Sequence, residues 1–170
     1  MRSAIIVNIV VVFLFFSAGC EPESTVSSSA LATPGGVLGA YSATNIHIIM
    51  LTEIVTPEDI QYFPRIKAYV DVLDKFDSRM KFPGTFRFEL YDFVPRISEP
   101  MGKRLILWPD VGLTDPEQNN RYWRDHMRAY MFSLDLDFEP REGQEFILQA
   151  TFIKPDGKRL TDTFQIKYQK

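Results

Sequence analysis

Three stretches of this chain alternate apolar and polar residues with a period of two, and that pattern limits the fold more than any other feature. In "RIKAYVDVLDKF" Ile66, Ala68, Val70 and Val72 fall on one face, with Lys67, Tyr69 and Asp71 on the other. "GTFRFELYDF" sets Phe86, Phe88 and Leu90 against Arg87, Glu89 and Tyr91. "RAYMFSLDLDF" sets Tyr130, Phe132, Leu134, Leu136 and Phe138 against Ser133, Asp135 and Asp137. Successive side chains of a strand point to opposite faces, so each stretch reads as a strand with one face buried. A helix would scatter the same apolar residues around its circumference.

The C-terminal part adds a hairpin. "EFILQATFI" and "RLTDTFQIKY" flank "KPDGK", in which Pro155 presets φ, Asp156 favours a turn and Gly157 accepts positive φ. "NIHIIMLTEI" and "KRLILWP" read as two further strands, the second ended by Pro109. Helix signals are few. "TPEDI" at 56–60 has a cap and a proline but is stopped by Pro64, and "TDPEQNNRYWRDHM" opens in the same way at Thr114 and Asp115, with room for two or three turns. Many strands and little helix predict an all-β fold: an antiparallel β-sandwich of immunoglobulin or transthyretin type with about seven strands and one or two short helices. The chain holds a single cysteine, so the Cys, Trp, Cys signature of true immunoglobulin domains is missing and no internal disulfide is available. Fourteen phenylalanines supply one core.

That cysteine stands at the end of "MRSAIIVNIVVVFLFFSAGC": one cation at Arg2, an apolar run from Ala4 to Phe16, then Ser17, Ala18 and Gly19 before Cys20. The run is shorter than the roughly 20 residues of a membrane span and ends in small residues that suit a protease, so residues 1–19 read as a signal peptide. "SAGC" resembles the lipobox of bacterial lipoproteins, with Ser17 where leucine is usual. The resemblance implies acylation of Cys20, which becomes the new N-terminus, and attachment to a membrane through the lipid. In that family an aspartate after the cysteine directs retention in the inner membrane. Glu21 stands there, which favours the outer membrane.

Residues 21–44, "EPESTVSSSALATPGGVLGAYSAT", have no sustained period and few groups that gain by burial. They read as a tether spanning about 25–30 Å as a flexible coil, which leaves residues 45–170 as the domain. "PGTFRFELYDFVPR" and "NNRYWRDHMRAYMF" resemble segments of small uncharacterised envelope proteins of planctomycete-type bacteria, which implies a place in the envelope and brings no activity or site residues with it. A short lipoprotein with a lone β-sandwich is also similar to the lipoprotein subunits that tether secretion machinery to the outer membrane.

Without its signal the chain carries a net charge one below the −3 of the full sequence. This mild acidity argues against nucleic acid, whose phosphates need a basic stripe. No GxSxG, HExxH or CxxC motif and no phosphate-binding glycine loop occurs, and no cofactor is expected. Asp125 and His126 are the one acid and base pair to consider for an enzyme, although sequence neighbours seldom point at a common site. Asp135, Asp137 and Glu139 are the calcium candidates, provided that they meet Asp71, Asp74 and Asp77 at one end of the sandwich; otherwise they are solvated acids on an outer face.

The composition of "NNRYWRDHMRAY" points to binding. Tyr122, Trp123 and Tyr130 are interleaved with Arg121, Arg124 and Arg128, and aromatic rings beside forked donors form protein hot spots and sugar sites. The competing reading places Trp123 and Met127, four apart, as a plug in the end of the core. The expected function is a binding or scaffolding module held in the cell envelope, with an envelope protein or a glycan as partner. Glycan binding at the aromatic and arginine patch and an enzyme near Asp125 and His126 are the alternatives. An exposed, regular sheet edge would favour a protein partner, and a pocket with aromatic and polar groups would favour the alternatives.

Overall fold

The computed structural model describes residues 41–56, 63–96 and 98–169. The signal peptide, Cys20, residues 21–40 of the tether and residues 57–60 of the "TPEDI" helix lie outside them. The described chain is an all-β sandwich of two antiparallel sheets with one short helix. The strands are β1 (Asn45–Ile48), β2 (Glu53–Val55), β3 (Arg65–Leu73), β4 (Thr85–Phe93), β5 (Met101–Leu107), β6 (Val111–Gly112), β7 (Trp123–Arg124), β8 (Ala129–Asp135), β9 (Glu145–Ile153) and β10 (Arg159–Lys167).

In the first sheet β3 and β8 are paired at the centre. β1 and β2 run in succession along the free side of β3, and β7 lies on the far side of β8. The second sheet has the order β10, β9, β4, with β5 and β6 sharing the outer side of β4. One expected strand, "NIHIIMLTEI", is thus broken in two, and a further short strand, β6, follows the end that Pro109 sets for "KRLILWP". Ile49 to Thr52 turn between β1 and β2, and Trp108 to Asp110 separate β5 from β6, where Pro109 has no N–H for the ladder.

The alternating residues face inward as the period requires. Phe86, Phe88, Phe132, Phe146 and Phe152 are buried between the sheets with Tyr130. Phe86 is the hub, with ring centroids 4.7 Å from Phe152, 4.9 Å from Phe132 and 5.7 Å from Tyr130. Aromatic pairs at such distances add about 0.5–1.5 kcal/mol each beyond burial of their area. Gly84 backs onto this cluster so closely that a Cβ would overlap the Phe152 ring.

One inward position breaks the pattern. Asp162 lies in the row of Leu160, Phe164 and Ile166 on β10, opposite Ala150. Its carboxylate accepts the Ile48 N–H at 2.7 Å, so it joins the edge of one sheet to the edge of the other. A backbone donor on an edge strand needs such a partner when it is covered. The domain also begins earlier than the composition implies: Ala43 is buried, its carbonyl accepts from Lys154 Nζ at 3.1 Å, and Thr44 N–H donates to Leu73 O.

Candidate functional site

The segment from Thr114 to Tyr130 is built around one short helix, α1 (Pro116–Tyr122). Asp115 caps it by accepting the Gln118 N–H at 2.9 Å, and Pro116 takes the first turn, where its missing N–H costs nothing. The helix stops after two turns. Trp123 is extended, with φ −75° and ψ 139°, and pairs with Tyr130 in the β7–β8 hairpin. Continuing the helix is worth only tenths of a kcal/mol per residue, whereas burying a large apolar side chain is worth about 1.5–3 kcal/mol. Burial therefore decides the conformation. The Trp123 side chain is core, at 8% exposure, with its ring edge-on to Tyr130 at 5.1 Å.

The four residues expected to bind therefore separate. Trp123 is covered, its indole N–H donates to Asp125 Oδ1 at 2.8 Å, and Lys81 Nζ lies 5.4 Å from the ring. The reading of Trp123 as an exposed hot spot is corrected to a core plug, placed by a strand pair with Tyr130 rather than by helical spacing to Met127. Arg124 folds back on the helix end, donating to the carbonyls of Arg121 and Trp123. Arg128, at φ 52°, donates to Arg79 O at 2.7 Å, while Arg79 donates to Met127 O, so the two arginines tie the β3–β4 loop to the β7–β8 turn. Of the four, Tyr122 lines the smaller of the two depressions beside α1.

Asp125 and His126 are both exposed at the β7–β8 turn. Asp125 serves Trp123 and lies 3.8 Å from Lys81.

The calcium candidates do not meet. Asp135 is opposite Arg65 at one end of β3, whereas Asp71 lies six residues along that strand toward the other end. Asp135, Asp137 and Glu139 are exposed, and among the described residues no three His, Cys, Asp or Glu side chains gather to hold a metal. Asp74 instead accepts the N–H groups of Phe76 and Ser78, closing a turn.

Asp71 is 2% exposed on the outer face of its sheet, covered by Arg79, whose Nε is 3.0 Å from Oδ2; Oδ1 has no hydrogen-bond partner. Burial raises its pKa above the ordinary 3.8; Arg79 and His47 oppose the rise and Asp162 adds to it. The folded state thus holds this proton more tightly than the unfolded chain. The penalty for ionised Asp71 is absent below about pH 3.8, where both states are protonated, grows as the pH rises from there through the raised value, and is at its full size above it. Asp71→Asn is expected to raise the denaturation midpoint at pH 7, with the gain disappearing on acidification toward pH 3. A midpoint lowered at pH 7 would show that the Arg79 pair outweighs desolvation.

Two depressions flank α1. The larger, of about 680 Å³, lies at the end of the sandwich between the 81–83 segment and the helix. Three of its polar side chains are already engaged: Asn119 Nδ2 donates to Phe82 O and Leu113 O, Asn119 Oδ1 accepts from Tyr130 OH, and Lys81 donates to Asn120, while Thr114 and Glu117 complete the polar lining.

The smaller depression, of about 380 Å³, opens on the side of the sandwich between β8 and the broken β5–β6 strand. Trp108 and Tyr122 contribute half-buried rings to it, Leu134 and Val111 apolar surface, and Gln118, Ser133 and Asp110 polar groups. One face of the Tyr122 ring stacks on Phe132 at 5.1 Å. Asp110 receives both Arg87 Nε and Nη2, at 2.9 and 2.8 Å, and this pairing pulls its pKa below the ordinary carboxylate value.

The cleft exists because β7 covers only Ala129 and Tyr130 of β8. Leu136 N–H donates to Pro64 O, and the ladder repeats every two residues, so Leu134 and Phe132 direct their backbone groups at β3 while Ser133 and Asp135 direct theirs to the open side. The Trp108 indole N–H caps the Asp135 carbonyl at 2.8 Å. Sequence reasoning passed over Trp108; its one signal was a tryptophan directly before a proline at a strand end. Comparison of the chain with protein-family models, curated proteins and solved structures finds no match.

Proposed function

We propose that this protein is a bacterial lipoprotein, acylated at Cys20 and attached through the tether that follows it to a β-sandwich that serves as a binding module in the cell envelope, on the outer membrane. The anchor rests on the "SAGC" junction after a short apolar run. Each buried methylene of a lipid adds about 0.8 kcal/mol, so several acyl chains hold a protein at a bilayer without any help from its folded surface.

The binding reading rests on the side cleft, where two aromatic rings and three polar side chains converge at a gap in the sandwich. Its volume falls in the usual range of ligand sites, about 300–1,000 Å³. The sheet edges offer less. β5 carries two register shifts along β4 and displays Lys103 and Arg104, features that discourage strand addition. The β10 and β1 edges are bridged by Asp162.

Cys20→Ser is expected to move the protein from the membrane fraction to the soluble fraction and to block processing after Gly19. A variant that is still cleaved and still sediments with membranes overturns the anchor. Affinity capture from solubilised envelopes, with the mature protein as bait, tests the module: a ligand or partner retained by the parent and lost on Trp108→Ala supports the cleft as its site.

A further inference from the structure

We infer that the side cleft binds a neutral sugar ring of an envelope glycan, an assignment that names the ligand of the binding module proposed above and rests on that reading. Three features select this chemistry. The first is the pair of rings: Trp108 and Tyr122 both line the cleft, and because Phe132 occupies one face of Tyr122 the face left for a ligand is the other. Flat aromatic surface matches the apolar C–H face of a pyranose, and Trp and Tyr supply it with little conformational entropy to lose.

The second is charge. No Lys or Arg is among the lining residues, and Asp110 is held ionised by its two bonds from Arg87. Among the lining residues a phosphate or carboxylate ligand would meet an acid and no cation, since the Arg87 guanidinium beside Asp110 is already held by it. A hydroxyl meets acceptors, because each oxygen of Asp110 keeps a lone pair after serving Arg87, while the Gln118 amide and the Ser133 hydroxyl both donate and accept.

The third is the length of free edge. Trp108 closes the ladder at Asp135 and β7 closes it at Tyr130, which leaves Ser133 as the centre of a very short open stretch. A peptide strand needs several consecutive edge residues to add to a sheet, whereas a compact ring needs only the local donors and acceptors.

The chain has two tryptophans, so Trp123→Phe, which keeps an aromatic ring against Tyr130, makes Trp108 the single indole reporter. The mature protein in this background is titrated with cellotriose, maltotriose and tri-N-acetylglucosamine, and with glucuronic acid as an anionic probe. At least one neutral trisaccharide is expected to shift Trp108 emission saturably. The Gln118→Ala, Ser133→Ala double variant, which leaves the Asp115 cap and the β8 ladder intact, is expected to bind it about tenfold more weakly or worse, as the loss of hydrogen bonds to a ligand requires. Calorimetry on the parent protein gives the same test should the Trp123→Phe background fold poorly.

No saturable response to any of the three neutral sugars overturns the assignment, as does binding undiminished in the double variant or glucuronic acid binding as tightly. Capture of one envelope protein by both the parent and Ser133→Arg, which fills the cleft, together with no response to the neutral sugars, would leave a binding module whose site lies outside the cleft and overturn the sugar.

Discussion

Trp123→Ala is expected to lower stability by about 3–5 kcal/mol, the range for removing a large aromatic side chain from a core. The ring is 8% exposed, packs edge-on against Tyr130 and fixes β7 to β8 across a hairpin whose whole ladder is Trp123 with Tyr130 and Arg124 with Ala129. Little around it can close the void, because Tyr130 is itself held through its hydroxyl, which accepts from the Phe82 N–H and donates to Asn119 Oδ1. Chemical denaturation of the variant beside the parent is the measurement. An unchanged midpoint would place the ring outside the core and return residues 121–130 to the position of leading binding site.

Asn119→Ala is expected to cost about 3 kcal/mol, because each buried polar group left without a partner costs about 1–3 kcal/mol. Asn119 uses both functions of its amide. Nδ2 donates to Phe82 O at 3.1 Å and to Leu113 O at 2.9 Å, and Oδ1 accepts from the fully buried Tyr130 hydroxyl at 2.9 Å. Tyr130 OH retains Phe82 O at 3.4 Å as an alternative acceptor, so the main loss falls on Leu113 O and on the weakened Tyr130 bond. Asn119→Asp separates this network from simple packing: a carboxylate facing two carbonyl oxygens repels where the amide donated, so Asp should destabilise at neutral pH at least as much as Ala. Should both variants keep the parent midpoint, the amide has no structural work and becomes available to the end groove.

How far the sequence could be read depends on which interactions each residue type makes. Alternation alone assigns Phe86, Phe88 and Phe132 to the core, and together with Phe152 they are its centre. Alternation works because a strand has two faces and only one can be dry. The β9–β10 hairpin was equally readable, since a turn such as Pro155–Asp156–Gly157 is governed by local backbone chemistry; Gly157 has φ 81°. The strands of "NIHIIMLTEI" and "KRLILWP" were readable, the second with its end at Pro109, but the break in the first and the addition of β6 beyond the second were not. Both answer to the neighbouring strand, which the local sequence does not contain.

The candidate site was less legible. Tyr122 and Trp123 are adjacent aromatics with the same compositional signal, yet one lines the cleft and the other fills the core. The difference is the helix end between them, fixed by what Trp123 gains on meeting Tyr130 seven residues later. Arg124 and Arg128 read as ligand donors because guanidinium forks serve that purpose; here their partners are backbone carbonyls at turns that only the folded chain brings near. Trp108 and Ser133 carried almost no signal, being 25 residues apart and joined by neither period nor motif.

By itself the sequence determined the all-β class, the inward residues of the central strands, the C-terminal hairpin and the capped start of the helix at Asp115, because period-two burial, turn geometry and capping act over a few neighbouring residues. Tertiary structure alone decided where the sandwich stays open, which of two adjacent aromatics is buried, and that the inward acid Asp162 joins two sheet edges. Each of these depends on groups far apart in the chain: a strand edge is free or covered according to the strand laid beside it, and a buried polar group is tolerated only when folding delivers its partner.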